Sequence, residues 1–253
     1  MGPERLSRPI RSIALQITEE LVEDGAQAVA LVGSYAGGNA GPESDLDLLA
    51  IGPETFSWDL QLRGDLLVSV SSMQLDEYRG AFARPEAVCT VVPGWRDAAI
   101  LHDPEGLAAS LVQESREWRW GPLERRCDAW VAQQVTGYAE EVLKLVAALR
   151  RGNTSTAAVQ HSLLAVRLAP VLAVHRRILY GSENRLWDLV SDAMGEEWRR
   201  EQTVALGLGD ETFEETCTAA LRLYVLATAE TSSLMDERQS EVVGYALAIS
   251  RRG

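Results

Sequence analysis

Short apolar runs separated by turn signals characterise the first half of the chain. Five such runs have the length of buried strands, at residues 28–32, 46–51, 66–70, 88–92 and 98–101. Apolar residues at helical spacing over 11–22 predict an opening amphipathic helix, and a further helix is expected from Gly106. The first half is therefore predicted to combine a sheet with helices.

Long amphipathic segments with few helix breakers follow in the second half. They lie at residues 130–149, 157–179, 185–194 and 213–235. The aromatic and proline-containing stretch 118–122 is the expected boundary. The pattern predicts an α+β protein, with a mixed-sheet domain over residues 1–120 and an all-helical bundle domain over residues 121–253.

Composition and charge exclude several classes of protein. Hydrophobic residues make up 46% of the chain, which is typical of a globular protein. A formal net charge of −13 repels nucleic acid and anionic lipid, so a small or cationic partner is favoured. Three dispersed cysteines predict neither a disulfide framework nor a zinc site. Without a signal peptide or a membrane-length apolar run, a cytoplasmic protein without a membrane partner is expected.

The candidate chemistry is concentrated between two apolar strands. Gly33-Ser34 follows the first strand, and Asp45 and Asp47 enter the second. Carboxylates two residues apart on a strand share a face and suit a divalent cation, while a Gly-Ser turn offers N–H groups and a hydroxyl to phosphate. Each motif alone is typical of an ordinary turn or a solvated strand edge; their combination favours a phosphate and metal site.

This order and spacing resemble the DNA polymerase β superfamily of nucleotidyltransferases, whose signature is a Gly-Ser turn followed by Asp-x-Asp on the next strand. Segments 140–144 and 174–180 are similar to the helical domain of the kanamycin nucleotidyltransferases. The resemblance implies transfer of a nucleoside monophosphate from a nucleoside triphosphate, most simply ATP, to a hydroxyl of a small molecule such as an aminoglycoside. It also implies a homodimer in which the base of one subunit serves the metal site of the other.

The resemblance assigns roles to six residues. Asp45 and Asp47 would hold Mg²⁺, and Gly33 and Ser34 would contact the nucleotide phosphates. In the helical domain, Glu140 would deprotonate the acceptor hydroxyl and Lys144, the only lysine in the chain, would bind the nucleotide. The last two are four residues apart, so an exposed helical ion pair is the alternative interpretation.

Two positions depart from the family pattern. Ser69 occupies the position of a third metal-binding carboxylate, and Gly37 replaces an arginine of the turn. A hydroxyl is a much poorer ligand for Mg²⁺ than a carboxylate. The alternative hypothesis is therefore a catalytically degenerate binding or regulatory module that keeps the fold.

Overall fold

The computed structural model describes residues 6–52 and 56–251. Contacts divide them into two units: the described residues of Met1–Arg119 together with Leu179–Ser182, and those of Trp120–Ile178 together with Glu183–Gly253. A mixed sheet in the N-terminal part followed by a helical region confirms the α+β class. The domain boundary between residues 120 and 121 stays a prediction.

The first unit is built from a sheet and five helices of its described residues. The strands are β1 (Ala28–Val32), β2 (Leu46–Ile51), β3 (Phe56–Arg63), β4 (Leu66–Met73) and β5 (Ala99–His102). The helices are α1 (Arg8–Glu23), α2 (Gly33–Gly37), α3 (Leu75–Ala81), α4 (Pro85–Asp97) and α5 (Leu107–Glu117). The predictions of an opening helix and of strands at 28–32 and 46–51 are confirmed.

The sheet has the order β3-β4-β2-β1-β5. β2 and β4 run parallel, and the other neighbours are antiparallel. On one face Ala14 and Ile17 of α1 pack against Leu46 and Leu48 of β2 and other core side chains. Burying Ile17 contributes about 1.5–3 kcal/mol. This core fixes which side chains of β2 turn to the opposite face.

The prediction of a strand over residues 88–92 is wrong, because this apolar run lies in α4. Pro85 stands in the first helical turn, where its missing N–H and fixed φ favour helix initiation. Val88, Val92 and Trp95 then recur at helical spacing and are all buried. The run is thus the buried face of a helix.

Pro93 lies inside α4 and changes its hydrogen bonding. Proline has no N–H, so the carbonyl of Cys89 loses its donor within the helix. The backbone N–H of Tyr180 donates to this carbonyl at 2.8 Å. This bond attaches the segment Leu179–Ser182 to α4, although the two are far apart in sequence.

The second unit consists of helices in its described residues. They are α6 (Glu124–Gly137), α7 (Ala139–Arg150), α8 (Thr154–His175), α9 (Leu186–Met194), α10 (Glu196–Ala205), α11 (Phe213–Thr231) and α12 (Glu237–Ser250). Residues 130–149 form parts of two helices that meet at Tyr138, because α6 ends at Gly137, a poor helix former. Buried Tyr224 of α11 donates its hydroxyl to the carbonyl of Val135 at 3.2 Å.

Within the described part of the chain, α8 is the one helix long and apolar enough to cross a membrane. Half of its apolar window is buried, and it packs against α6, α7 and α11 of the same unit. Core helices of soluble proteins have this composition too. A cytoplasmic location stays a prediction.

Candidate active site

The site begins with the two carboxylates at the start of β2. Leu46 and Leu48 are 0% and 1% exposed in the core, so the alternation of the strand turns Asp47 to the other face of the sheet. Asp45 directly precedes β2 and is close enough to act electrostatically on Asp47. The structure therefore brings these two predicted residues together.

Gly33 lies against the carboxylate of Asp47. Val32, the last residue of β1, pairs with Asp47 in the antiparallel register, and Gly33 follows with φ +69°. A Cβ atom added at Gly33 would overlap Asp47 Oδ2. Only glycine allows both this backbone conformation and this close approach.

Ser34 follows in the same turn, in the first residues of α2. Its Oγ is buried and has no hydrogen-bond partner among the described residues. Buried hydroxyl groups in proteins nearly always have a partner, so an unpaired one marks a place where a ligand oxygen or water belongs. The turn therefore contains an unpaired hydroxyl directly after Gly33, the residue that lies against Asp47.

The environment of Asp47 disfavours its charge. Burial raises the pKa of this carboxyl from 3.8 to about 6, and the neighbouring charge of Asp45 acts on the pKa in the same direction. Burial and the nearby Asp45 both disfavour the ionised form of Asp47, because two negative charges lie close together with little water around them. A cation or a hydrogen-bond donor at this position would relieve that repulsion.

Ser69 of β4 lies beside Asp47, its partner in the parallel register. The indole Nε1–H of Trp58 donates to Ser69 Oγ at 2.8 Å. Trp58 itself is 58% exposed, although its size suggests a core or interface residue. The position expected for a third carboxylate thus holds a neutral hydroxyl that accepts one hydrogen bond and still has its own proton to donate.

The donor set at this site fits one divalent cation. Among residues 6–52 and 56–251 no group of three or more His, Cys, Asp or Glu side chains could hold a metal. The two carboxylates nevertheless supply hard oxygen atoms of the kind that Mg²⁺ prefers, and Mg²⁺ normally completes its shell with water and substrate phosphate. Asp45 and Asp47 would hold the ion together with a bound nucleotide.

Glu140 and Lys144 belong to the second unit. Both are on α7, and Lys144 Nζ is 2.6 Å from Glu140 Oε1, with the lysine and glutamate side chains 48% and 69% exposed respectively. The hydrogen bond to Glu140 raises the pKa of Lys144, so the lysine is charged at neutral pH. The two residues are paired with each other, and their roles in catalysis stay predictions.

Comparisons with known proteins agree with this geometry. A family model described as a nucleotidyltransferase domain matches residues 12–79, which include most of α1, the Gly33-Ser34 turn and both carboxylates. A nucleotidyltransferase-like protein from Exiguobacterium sibiricum has a similar fold, with a TM-score of 0.50 and 16% identity over 95% of this chain and 79% of that one. No curated protein matches the chain. Residues 12–79 thus match a nucleotidyltransferase domain, a class whose chemistry is nucleotidyl transfer.

Replacing Gly33 with alanine should disrupt the carboxylate pair. In Gly33→Ala the new Cβ displaces the Asp47 side chain, and an L-residue in the left-handed conformation costs a further 1–2 kcal/mol or so. We expect Mn²⁺ binding, followed by electron paramagnetic resonance, to weaken at least tenfold. Gly38→Ala is the matched control, because Gly38 has φ +76° and open space where a Cβ would lie. Equal Mn²⁺ binding by both variants would contradict the close approach.

The stability of the metal-free protein should depend on the charge of Asp47. Because the folded-state pKa of Asp47 is raised to about 6, the folded chain binds this proton more tightly than the unfolded chain, and stability is lost as pH rises from about 4 through 6. The free energy of unfolding of Asp47→Asn, relative to that of wild type, should therefore be larger at pH 7.5 than at pH 4. With solvent screening included, we expect this difference to be on the order of 1 kcal/mol.

Urea unfolding at both pH values, with a chelator present, measures this difference. Glu19→Gln, which removes an exposed carboxyl from α1, controls for the loss of one negative charge. A pH-independent difference between Asp47→Asn and wild type would show that the site does not disfavour the charge.

Proposed function

We propose that this protein transfers a nucleoside monophosphate from a Mg²⁺-bound nucleoside triphosphate, with ATP as the expected donor, to a hydroxyl of a small cationic molecule such as an aminoglycoside. Pyrophosphate is the leaving group. The observation that carries the proposal is the packing of the Gly33-Ser34 turn against the Asp45/Asp47 pair inside a nucleotidyltransferase domain.

The residues of the first unit would bind and orient the donor. Bound Mg²⁺ supplies charge neutralisation on the phosphates during in-line displacement at the α-phosphorus. Asp45 and Asp47 hold the ion, and binding it offsets the repulsion that raises the pKa of Asp47. The unpaired hydroxyl of Ser34 donates to a phosphate oxygen, which gives this buried group its missing partner.

Glu140 would act as the general base. Its carboxylate takes the proton of the acceptor hydroxyl as the new oxygen–phosphorus bond forms and the bond to pyrophosphate breaks. Lys144 Nζ, now 2.6 Å from Glu140, would turn to the nucleotide phosphates and leave the carboxylate free. The protein would work as a homodimer, as the resemblance implies.

The charge of the chain supports a cationic acceptor. At a formal net charge of −13 the protein attracts polycations and repels nucleic acid. Asp45 and Asp47 strengthen this field locally before the cation-bound nucleotide arrives. A small polyamine-like or aminoglycoside acceptor is therefore favoured over a nucleic-acid 3′ end.

The hydrogen bond from Trp58 to Ser69 favours a second candidate function. In this bond the Ser69 hydroxyl, at the position of the third metal ligand, accepts from the neutral indole N–H of Trp58 instead of binding a cation. A module that binds nucleotide without turning it over, or that binds neither nucleotide nor metal, is the corresponding hypothesis.

Nucleotide binding measured by calorimetry with and without Mg²⁺ separates these functions. We expect a nucleoside triphosphate to bind only with Mg²⁺, and the Asp45→Asn/Asp47→Asn double variant to lose this binding by at least tenfold. Folded protein that binds none of the four triphosphates would refute nucleotidyl transfer and support the non-catalytic module.

The proposed base can be tested on the transfer step itself. With kanamycin as acceptor and pyrophosphate release as readout, Glu140→Gln should lower kcat by roughly 10²-fold or more while leaving triphosphate affinity unchanged. Thermal stability should also stay unchanged, because an exposed i,i+4 ion pair contributes little to the free energy of unfolding. Glu141→Gln on the same helix is the control. Wild-type turnover by Glu140→Gln would exclude this residue as the base.

A further inference from the structure

A cavity of about 310 Å³ lies in the first unit directly beside the carboxylate site. Gly33 and Asp47 form one part of its wall, and strands β2 and β4 continue that wall through Leu49 and Met73. Helix α4 contributes Trp95 among other residues. The volume is at the lower end of the roughly 300–1,000 Å³ typical of small-molecule sites.

An aromatic pair forms part of this wall. Tyr78 and Trp95 meet edge to face with ring centroids 5.2 Å apart, and Tyr78 is anchored by its hydroxyl, which donates to the carbonyl of Ala50 at 3.1 Å. Trp95 is 1% exposed, yet its indole Nε1–H has no acceptor among the described residues. A buried donor without a partner is unfavourable, so an acceptor atom of a ligand in this cavity would stabilise it.

The lining carries one basic side chain, Arg84, and one carboxylate, Asp47, which would meet phosphate through a bound cation, so it suits an anionic ligand with an apolar part. Arg84 lines the cavity, is exposed and forms no ion pair with a described residue. Most of the remaining wall is apolar, which suits a flat neutral ring and disfavours a polycation. A nucleotide has this combination of an apolar base and negative phosphates.

The cavity wall also includes the attached segment Leu179–Ser182. Gly181 of this segment lies in the lining. Its neighbour Tyr180 donates to the carbonyl of Cys89, which receives no N–H from Pro93 within α4. One side of the cavity is thus held in place by a backbone hydrogen bond to the same helix that carries Trp95.

We infer that this cavity binds the nucleobase of the donor nucleotide, with the Trp95 indole N–H donating to a ring acceptor atom and Arg84 contacting phosphate. The inference rests on the proposed function. It makes Trp95 a specificity-determining residue, because the four bases differ in which edge carries an acceptor. The acceptor substrate then has to bind outside this cavity.

Gly94 of α4 allows the cavity to be filled without disturbing the fold. It lines the cavity, and a Cβ added there meets no atom within 4 Å. Leucine at this helical position is also a better helix former than glycine. Gly80→Leu is the matched control, since Gly80 is helical, has open space where a Cβ would lie, and does not itself line the cavity, although Tyr78 and Ala81 of the same helix α3 do.

Calorimetry with Mg²⁺ and two probes, ATP and inorganic tripolyphosphate, tests the inference. We expect Gly94→Leu to weaken ATP binding at least tenfold and to leave tripolyphosphate binding unchanged, because tripolyphosphate has no base. ATP binding equal to that of Gly80→Leu, loss of both probes, or selective loss of kanamycin binding would each overturn the cavity assignment. Failure of wild-type protein to bind either probe would instead refute the proposed function.

A second variant tests the indole donor by itself. Trp95→Phe keeps an aromatic ring and removes the N–H. The ratio between the highest and the lowest affinity for ATP, GTP, CTP and UTP should therefore fall at least threefold. Circular dichroism and thermal unfolding establish that the variant is folded. An unchanged order and spread of the four affinities would show that the Trp95 N–H does not select the base.

Discussion

The close approach of the Gly33 backbone to the Asp47 carboxylate is the constraint on which the site depends. The β1–β2 register sets Val32 opposite Asp47, so the chain leaving β1 must pass the carboxylate at once. With no side chain at residue 33, the turn can lie against Asp47, whose pKa is raised to about 6 by burial and by the charge of Asp45. The same tight turn buries the hydroxyl of Ser34. The site therefore combines an unfavourable charge with an unpaired donor, and a metal-bound phosphate would satisfy both.

Ser69 stands where the family pattern has a third carboxylate, and this exchange leaves one negative charge fewer beside Asp47. A further negative charge beside Asp47 would raise its pKa more, because like charges disfavour the ionised form. The hydroxyl, held by Trp58, avoids that repulsion and presents a proton to an anion. The site consequently gives up one metal ligand and gains one hydrogen-bond donor. Under the proposed function, the phosphates of the nucleotide would complete the coordination of a cation at this site.

Much of the fold and the centre of the site can be predicted from sequence, because they depend on local pattern. The strands at 28–32 and 46–51 have the expected bounds, and their turn and carboxylates are adjacent as the spacing suggests. The strand prediction for residues 88–92 fails because a short β-branched run has no decisive period. The pattern analysis also misses the exposed strand β3, although its alternation from Trp58 to Arg63 is a usable signal. The Trp58–Ser69 bond cannot be foreseen, since it requires the register of β3 against β4.

The cavity depends on a contact that no local pattern reveals. Proline inside a helix costs about 3 kcal/mol, because it removes one hydrogen bond and its ring clashes with the carbonyl four residues earlier. In α4 the Tyr180 N–H takes the place of the missing donor, which offsets part of that cost. Helix α4 and the segment Leu179–Ser182 therefore stabilise each other, although they are distant in sequence. Because both line the cavity, a ligand that fills it would stabilise the contact, and any change that restores a backbone donor at residue 93 would compete with Tyr180 and loosen the wall.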